Sequence, residues 1–491
     1  MNLIGKITKT QWIFALILFV IFLFRFPSLY EPFWYGDEGI FAAVGRNLNL
    51  GGVLYQSAWD NKPPMIYLTY WGIFEFLGVS MFSLRLIATV VVLSTAAAIY
   101  EIALSVTHKN RALVVALVFG FISSLRIVEG NLALTEIFMI LPICLAILVA
   151  IKRNFDYVSL FTAGILLAVS SLYKQVWALE AAALGIFLFL HEETFLDFVK
   201  KGFVLSIGFL LPYFLTFMYF LPKHLVGDWI FAAYTYYRIY LGESPKYAII
   251  INISKFMPIV AAIIFGLWKK RKKSLDVSHL FFLWCAFSFL GSYFSGRTYG
   301  HYLVQATPAV ALLLASVNLR PKITKAAFVF AVFFFVPLIF LTKILFTDFL
   351  VDAPTSQLKY WGNFIDLARG AKSVESYNDF FDGNVNTVNL LSDYFASQKA
   401  RGTSVYIWGD LPWLYAINDF RNPSRYVTSF HVFGVPGGKE EVAGALSLNM
   451  PKYIIKLPSS IGYFSELEKL IFNNYTLISE IEGSSIWLRI R

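Results

Sequence analysis

The sequence predicts an α-helical polytopic membrane protein that ends in a small α/β domain. Three observations support this fold class. The 491 residues are 58% hydrophobic and only 15% charged, where a soluble domain carries about 25% charged residues. Long apolar runs recur along most of the chain, and basic residues gather in the short loops between them. Towards the C-terminus the composition changes, and charged, glycine, asparagine and aspartate residues become more frequent.

Eleven apolar runs are long enough to cross a bilayer as helices, which takes about 17 to 25 residues. No small-residue cleavage site follows the first run, so we expect a retained span and not a signal peptide. The predicted spans cover residues 11–28, 83–105, 111–127, 134–151, 157–173, 176–191, 202–221, 247–267, 278–295, 300–318 and 324–347.

The loop charges predict how the spans are oriented. Basic residues cluster in every second loop, which the positive-inside rule assigns to the cytoplasm together with the N-terminus. Residues 29–82, the turn at 128–134, the loop at 222–246 and everything after residue 348 then lie outside the cytoplasm. The basic clusters are Lys6 with Lys9, Lys109 with Arg111, Lys152 with Arg153, Lys200 with Lys201, residues 269–273, and Arg320 with Lys322 and Lys325.

The net charge of +10, from 41 basic and 31 acidic residues, does not indicate a nucleic-acid partner, because the basic residues lie in these loops. Membrane lipids are the expected partners of this charge. Cys144 and Cys285 both lie inside predicted spans, where packed thiols fit better than a disulfide framework or a metal cluster.

The C-terminal part of the chain is predicted to be a small α/β domain outside the cytoplasm. Three β-rich stretches start at residues 404, 452 and 484 and alternate with two helical stretches, NTVNLLSDYFASQKA and GYFSELEKLIFNNY. We therefore divide the chain into a membrane domain, residues 1–347, and an extracytoplasmic domain, residues 348–491, that covers or extends the membrane site.

The polar first outer loop is the strongest candidate for chemistry. Asp37 and Glu38 follow the aromatic residues Phe33, Trp34 and Tyr35, which we expect at the membrane interface. Partial burial at that depth tends to raise the pKa of a carboxyl group towards a value that suits a general base. Asp37 also precedes the helical sequence GIFAAVGRNL, so the acidic pair by itself fits a helix cap and a catalyst equally.

Cations and a further acid follow in the same loop. Arg46 comes first, Asp60 and Lys62 then stand beside a rigid Pro-Pro pair, and Arg85 lies in the next span. Arginine and lysine are suited to stabilising a phosphate leaving group, and the fixed dihedrals of the prolines would point Lys62 in a defined direction. Each of the three cations also fits a lipid-headgroup anchor, and that alternative stays open here.

The order of these residues resembles the bacterial and archaeal members of glycosyltransferase family 39, relatives of the protein O-mannosyltransferases and of the lipid A aminoarabinose transferase. The matching order is DE, a helix ending in Arg, a Gly-containing turn with Tyr, D-x-K-P-P, and an Arg in the following span. Glu136 in LALTEIFMIL, Lys174 after GILLAVSSLY, and the stretch HYLVQATP extend the resemblance over essentially the whole chain.

The resemblance implies the C-type membrane glycosyltransferase fold. It also implies transfer of a sugar, with inversion, from a polyprenyl-phosphate donor to an extracytoplasmic protein, glycolipid or envelope glycan. It implies that Asp37 is the general base or orients the acceptor, with Glu38 supporting the loop. Lys62 and Arg46 would contact the carrier phosphate, and Glu136 would be a second acidic group. No D-x-D sequence with a nearby histidine is present, so we expect neither a metal nor another cofactor.

Four further residues are weaker candidates for substrate contacts. His301, Tyr302 and Gln305 fall on one face of a predicted helix and would line a cavity together. A satisfied interfacial histidine is an equal alternative for His301, and an interfacial carboxylate is the alternative for Glu136. Lys174 has no such helical partners in the sequence.

Two other functions remain as alternatives. A polysaccharide polymerase or ligase that uses lipid-linked glycans shares the predicted topology but does not need this order of residues in the first loop. A transporter or lipid flippase typically has inverted repeats and charges on broken helices at mid-membrane, and the sequence shows neither pattern.

Overall fold

The structure is a computed structural model that describes residues 8–241, 248–294, 297, 299–316, 324–345, 353–458 and 462–490. Its described α-helices are Lys9–Arg25, Gly36–Asn49, Met65–Leu77, Met81–Ala103, Lys109–Ile122, Thr135–Lys152, Tyr157–Ser171, Ala178–His191, Phe195–Phe220, Val226–Ile230, Tyr237–Leu241, Ala248–Arg271, Ser278–Phe294, Thr307–Ser316, Lys325–Leu345, Ala353–Ala368, Val374–Asp379, Asn384–Ser397, Trp413–Ile417, Ser429–Gly434, Gly438–Leu448 and Ser465–Asn474, numbered α1 to α22 in this order.

Short 3-10 helices connect several of these elements, and one turn is a π-helix. The 3-10 helices are Phe26–Tyr30, Arg126–Val128, Gln175–Trp177, Leu221–Lys223 and Gly300–Ala306. The π-helix is Phe231–Thr235. The segment 300–318 was predicted to be one regular span, and this is wrong at its start, because the backbone is 3-10 from Gly300 and becomes α-helical only at Thr307.

Five described helical stretches are long and apolar enough to cross a membrane. Their mean hydropathies lie between 1.9 and 2.3, and all five carry large exposed apolar side chains. Four further apolar helices are shorter. The five stretches are Lys9–Tyr30, Met81–Ala103, Thr135–Lys152, Phe195–Lys223 and Lys325–Lys343, and the shorter helices are Met65–Leu77, Tyr157–Ser171, Ala178–His191 and Ser278–Phe294.

The chain forms two compact units. The first, called the helical unit here, comprises Met1–Ser28, Ile87–Met218 and Glu243–Tyr360. Within it α6 packs against α7, α12 against α15, and α13 against α8 and α14. Small residues allow two helices to approach closely, because a Cβ atom on Gly208 of α9 would lie 2.1 Å from the carbonyl oxygen of Phe161 in α7.

The second unit, called the sheet unit here, comprises Leu29–Leu86, Tyr219–Gly242 and Trp361–Arg491. It contains a four-stranded sheet in the order β1-β2-β4-β3. Strands β1 and β2 are parallel, whereas β4 pairs antiparallel with both β2 and β3. The strands are Val405–Trp408 (β1), Tyr453–Lys456 (β2), Tyr475–Ile481 (β3) and Ser484–Arg489 (β4).

The three predicted β-rich stretches contain β1, β2 and β4, and of the two predicted helical stretches one overlaps the helix Asn384–Ser397 and the other contains Ser465–Asn474. Strand β3 was not predicted, because it follows a helix without any intervening turn residue and leaves most of its side chains exposed or half-buried. The contacts also place the first loop and the C-terminal segment, residues 361–491, in one unit. The predicted division had placed these two parts in different domains.

Candidate active site

Helix α2 begins at Gly36, so Asp37 and Glu38 both lie in its first turn. Tyr35 is the N-cap residue, and its side chain makes no capping hydrogen bond. The alternative that Asp37 merely caps this helix is therefore wrong, since the helix starts at Gly36, three residues before the predicted helical sequence. A carboxylate in the first turn is still stabilised by the partial positive charge of the helix N-terminus.

The Glu38 side chain is fully buried and is neutralised by Arg85. One guanidinium nitrogen of Arg85 donates to Glu38 Oε1, and the other donates to Glu38 Oε2 at 2.8 Å and to Glu31 Oε2 at 2.9 Å. Neither Arg85 nor the two carboxylates has any exposed side-chain surface. The Trp34 indole N–H donates to Glu31 as well, at 2.9 Å. This buried cluster joins the start of α4 to the turn before Asp37.

Asp37 differs from its neighbour. Its side chain is half-buried, and within the described part of the chain no hydrogen bond or ion pair involves it. Behind the same turn, Trp413 packs so closely that a Cβ atom on Gly39 would lie 2.8 Å from the indole ring. The Trp413 indole N–H donates to the Tyr35 carbonyl at 3.1 Å. The turn is therefore held in place by Trp413, while the Asp37 carboxylate can still accept a hydrogen bond or a proton.

The backbone around Lys62 is fixed by buried tyrosines. The Tyr55 hydroxyl donates to the Lys62 carbonyl at 2.7 Å, and the Lys62 N–H donates to the Tyr67 oxygen at 3.1 Å. Tyr67 in turn donates its hydroxyl proton to Asp60 Oδ2 at 2.7 Å. The ammonium group of Lys62 donates to Asn61 Oδ1 at 2.8 Å. The carbonyl and the N–H group of Lys62 are therefore both hydrogen-bonded within the protein. Only the Lys62 side chain is left to bind another molecule.

The charge of Lys62 is strongly favoured. Burial by itself would lower the pKa of its ammonium group, but the combined effect of Tyr237, Asp60 and Asp37 outweighs burial and raises this pKa well above its usual value. Asp37 therefore lies close enough to Lys62 to stabilise its positive charge. The sheet unit thus holds a half-buried acid, Asp37, and a half-buried ammonium group, Lys62, of opposite charge.

Arg46 is engaged by an acid from the C-terminal segment. Its Nε atom donates to Asp419 Oδ1 at 2.6 Å, and Arg401 Nε donates to Asp419 Oδ2, also at 2.6 Å. Burial opposes ionisation of Asp419, but the hydrogen bonds from Arg46 and Arg401 outweigh burial and lower the pKa of this carboxyl group. Arg46 retains 20% of its side-chain exposure.

The helical unit contains a second polar cluster. The Lys174 ammonium lies 2.5 Å from Glu136 Oε1, and the Thr135 hydroxyl donates to Glu136 Oε2 at 2.7 Å. The same ammonium lies 3.6 Å from the centre of the Tyr302 ring, a cation–π contact. Nearby on the 3-10 helix, His301 Nδ1 lies 2.5 Å from a carboxylate oxygen of Glu129.

The expectation that His301, Tyr302 and Gln305 share one face is only partly met. The Gln305 amide donates to the carbonyl of Ser288, whereas His301 and Tyr302 contact Glu129 and Lys174. The 3-10 backbone explains the difference, since its three residues per turn rotate the fifth residue away from the position it has in an α-helix.

Several residues at these sites were missed by sequence reasoning. Glu31 and Glu129 lie in loops next to predicted spans, where an acid reads as an interfacial residue. Tyr67 lies in an apolar helix that gave no polar signal. No group of three or more His, Cys, Asp or Glu side chains suited to a metal ion was found among the residues that the structure describes.

Comparison with known proteins supports one interpretation of these sites. Residues 61–220 match the model of the dolichyl-phosphate-mannose-protein mannosyltransferase family. This region includes Lys62, Arg85, Glu136 and Lys174. The match covers 160 of the 491 residues, so the similarity to this family is shown for that part of the chain.

Solved structures show the fold of the chain. It is similar to ArnT from Cupriavidus metallidurans bound to undecaprenyl phosphate, with a TM-score of 0.57, 13% identity and 98% of each chain covered. The apo structure of the same protein gives a TM-score of 0.56 and 14% identity, with 97% of this chain and 98% of that chain covered. At these identities the likeness establishes the fold that the chain shares with ArnT and no more.

The archaeal oligosaccharyltransferase AglB from Archaeoglobus fulgidus is a more distant likeness, with a TM-score of 0.43 and 12% identity over 91% of this chain and 69% of that chain. No curated protein matches the chain in sequence. The family match and the fold do not favour the transporter or flippase alternative.

Proposed function

We propose that this protein moves a sugar from a polyprenyl-phosphate carrier to a hydroxyl group of an extracytoplasmic acceptor. The observation that carries the proposal is that the sheet unit holds Asp37, a carboxylate without a hydrogen bond among the described residues, together with Lys62, whose positive charge is favoured by Asp60 and Asp37. A transfer of this kind needs a base for the incoming hydroxyl and a cation for the departing phosphate. ArnT, whose fold this chain shares, was crystallised with undecaprenyl phosphate.

In the proposed reaction the acceptor oxygen attacks the anomeric carbon of the donor sugar while Asp37 takes the hydroxyl proton. The bond between the anomeric carbon and the phosphate oxygen breaks, and its electron pair leaves with the polyprenyl phosphate. Lys62 stabilises the negative charge that develops on that oxygen. One displacement at the anomeric carbon inverts its configuration.

For Arg85 and Glu38 we propose positioning roles in place of the substrate and catalytic contacts expected from the sequence. Their side chains have no exposed surface and are bonded to each other and to Glu31. They hold the turn that presents Asp37, and they do so from the start of the next span. Arg46 keeps its proposed contact with the carrier phosphate, from a side chain that Asp419 orients.

The cluster in the helical unit supports a separate proposal. Glu136, Lys174, His301 and Tyr302 are polar side chains among apolar helices, and such residues commonly mark a substrate path in membrane proteins. We assign this cluster to contacts with the sugar or the acceptor hydroxyl. Gln305, with its amide committed to the carbonyl of Ser288, is assigned to holding the 3-10 segment instead.

The proposal includes a topology. Eleven spans with the N-terminus in the cytoplasm would place Asp37 and the C-terminal segment outside, where a donor already flipped across the membrane is available. A protease site or tag at the C-terminus should be accessible from outside intact cells. Protection of that tag would overturn the topology, and with it the assignment of Asp37 to an extracytoplasmic reaction.

The activity is tested directly with membranes that contain the protein and a radiolabelled polyprenyl-phosphate sugar. Wild-type membranes should release labelled acceptor, and Asp37→Asn should lower the rate by roughly 10² to 10⁴-fold, the usual contribution of a general base. Glu75→Gln is the matched control, because Glu75 is an exposed acid of the same unit. Equal rates for Asp37→Asn and Glu75→Gln at equal protein level would remove Asp37 from the mechanism.

A further inference from the structure

Part of the C-terminal segment, residues 425–431, packs directly against the loop at residues 55–62. The Trp59 N–H donates to the carbonyl of Arg425 at 2.9 Å. The Arg425 guanidinium donates to the carbonyl of Tyr55 at 3.2 Å, across 370 residues of sequence. Backbone groups on both sides of the contact are therefore paired, which defines the relative position of these two stretches within the sheet unit.

His431 lies at the centre of this contact and is buried. Its Nε2 atom lies 3.4 Å from Asp60 Oδ1, and its Nδ1 atom lies 2.9 Å from the Thr428 hydroxyl oxygen. The Trp59 ring meets the imidazole edge to face, with 5.2 Å between ring centres. Because a carboxylate only accepts, the attractive arrangement has a proton on Nε2, and Nδ1 then accepts the proton of the Thr428 hydroxyl.

Asp60 links this histidine to Lys62. One carboxylate oxygen faces His431, while the other accepts the Tyr67 hydroxyl proton at 2.7 Å. The Tyr67 oxygen accepts the backbone N–H of Lys62 at 3.1 Å. All of these side chains except Lys62 are buried, so a change at His431 reaches the Lys62 backbone through three successive contacts and little solvent.

We propose that His431 is a positioning residue of the donor site, which fixes Asp60 and thereby the backbone that presents Lys62 to the carrier phosphate. The inference rests on the proposed function, because it needs Lys62 to bind the phosphate. It gives the C-terminal segment a part in substrate binding that neither the sequence pattern nor the family match assigns. The segment is then a component of the active site and not only its cover.

The charged groups around His431 make its role testable through the pH dependence of donor binding. The charged groups that face it are Asp60 and Lys62 from the loop, Asp37 from α2, and Asp410 from the turn after β1. Burial lowers the pKa of the imidazole below its usual value, against the opposing effect of Asp60. The ring is thus neutral at neutral pH and gains a charge only in acid, where the added positive charge favours binding of an anionic phosphodiester.

The experiment measures donor KM and kcat for the full-length protein in membranes with a polyprenyl-phosphate sugar. His431→Leu should raise the donor KM about tenfold and leave kcat nearly unchanged, because a lost ground-state contact to the phosphate weakens substrate and transition state alike. His431→Gln should recover most of the affinity, since its amide N–H can face Asp60. His224→Asn is the control, as His224 is exposed in the same unit and has φ of 57°, which asparagine tolerates.

The pH series separates positioning from packing. The wild-type donor KM should fall as the pH is lowered below the usual imidazole pKa, about 6.5, and this trend should be absent in His431→Gln. Equal KM values for wild type and His431→Leu would overturn the inference. So would an unchanged pH trend in His431→Gln, which remains informative where the leucine variant does not fold. Absence of transfer by the wild-type protein would instead overturn the proposed function itself, a result distinguishable from either.

Discussion

The two polar clusters of the molecule begin with the same sequence feature, an acid in the first turn of a helix. In the sheet unit Glu38 forms an ion pair with Arg85, whereas Asp37 next to it in sequence has no hydrogen bond among the described residues. In the helical unit Glu136 is itself bonded to Lys174 and Thr135. A carboxylate that is already paired loses part of its stabilisation when it accepts a proton, so the clusters are suited to different tasks.

The largest expected effect concerns the buried ion pairs of Arg85 with Glu31 and Glu38 in the sheet unit. Arg85→Met should leave Glu31 and Glu38 buried without a cation, which destabilises a protein by about 3–5 kcal/mol. We expect strongly reduced yield and a lower unfolding temperature in detergent. Arg153→Met is the control, because the Arg153–Asp156 pair is about half exposed, with side-chain exposures of 53% and 41%. Equal stability of the two variants would contradict the structural role of Arg85.

The next effect concerns Lys62, whose half-buried ammonium group is proposed to bind the donor phosphate. Lys62→Gln should raise the donor KM by roughly 10- to 100-fold, the equivalent of one hydrogen bond to a charged group. Because its pKa is raised, the ammonium group stays charged through the neutral and moderately alkaline range, and its contribution is lost only as the pH rises past that raised value. Lys223→Gln changes an exposed lysine of the same unit and should leave the KM unchanged. A donor KM that rises between neutral and mildly alkaline pH would contradict this assignment.

The paired acid of the helical unit is tested by coupling. Glu136→Gln and Lys174→Met should each lower the transfer rate by about tenfold, and the double variant should be no worse than either, because both single changes break one ion pair. The measurement is the rate of labelled product at equal protein level. A loss of about a hundredfold in the double variant, the product of the two single losses, would show that the two side chains act independently.

The smallest effect concerns Asp419, a buried acid whose partner Arg401 is largely exposed, at 71% of its side chain. Asp419→Asn should cost about 1 kcal/mol of stability and change the transfer rate less than twofold. The pKa of this carboxyl group is lowered in the folded protein, so its contribution is present above the unfolded value, about 3.9, and is lost as the pH falls through the folded value. The difference in unfolding temperature between variant and wild type should therefore shrink in acid. A difference that grows in acid would mean that the ion pairs with Arg46 and Arg401 do not stabilise the fold.

The sequence predicted much of this architecture, because apolar length and β-rich alternation are local properties. The first-loop residues Asp37 and Lys62 were found from their order along the chain, and the strands at 405 and 453 from their composition. The partners were not predicted. Arg85 reaches Glu38 across 47 residues and Lys174 reaches Glu136 across 38, and no local pattern specifies such distances. Strand β3 was missed because a helix runs into it without a break.

The contact between Arg425 and Tyr55 has a consequence for how the enzyme is made. The first loop is synthesised 370 residues before the stretch that pairs with it, and a ribosome adds roughly 5–20 residues per second. For many seconds the chain therefore has its early helices and its Asp37, but neither Trp413 nor His431. By the contacts described above, the donor loop takes its final position only when synthesis is almost complete. Nascent and prematurely ended chains would then reside in the membrane without consuming the lipid-linked sugar.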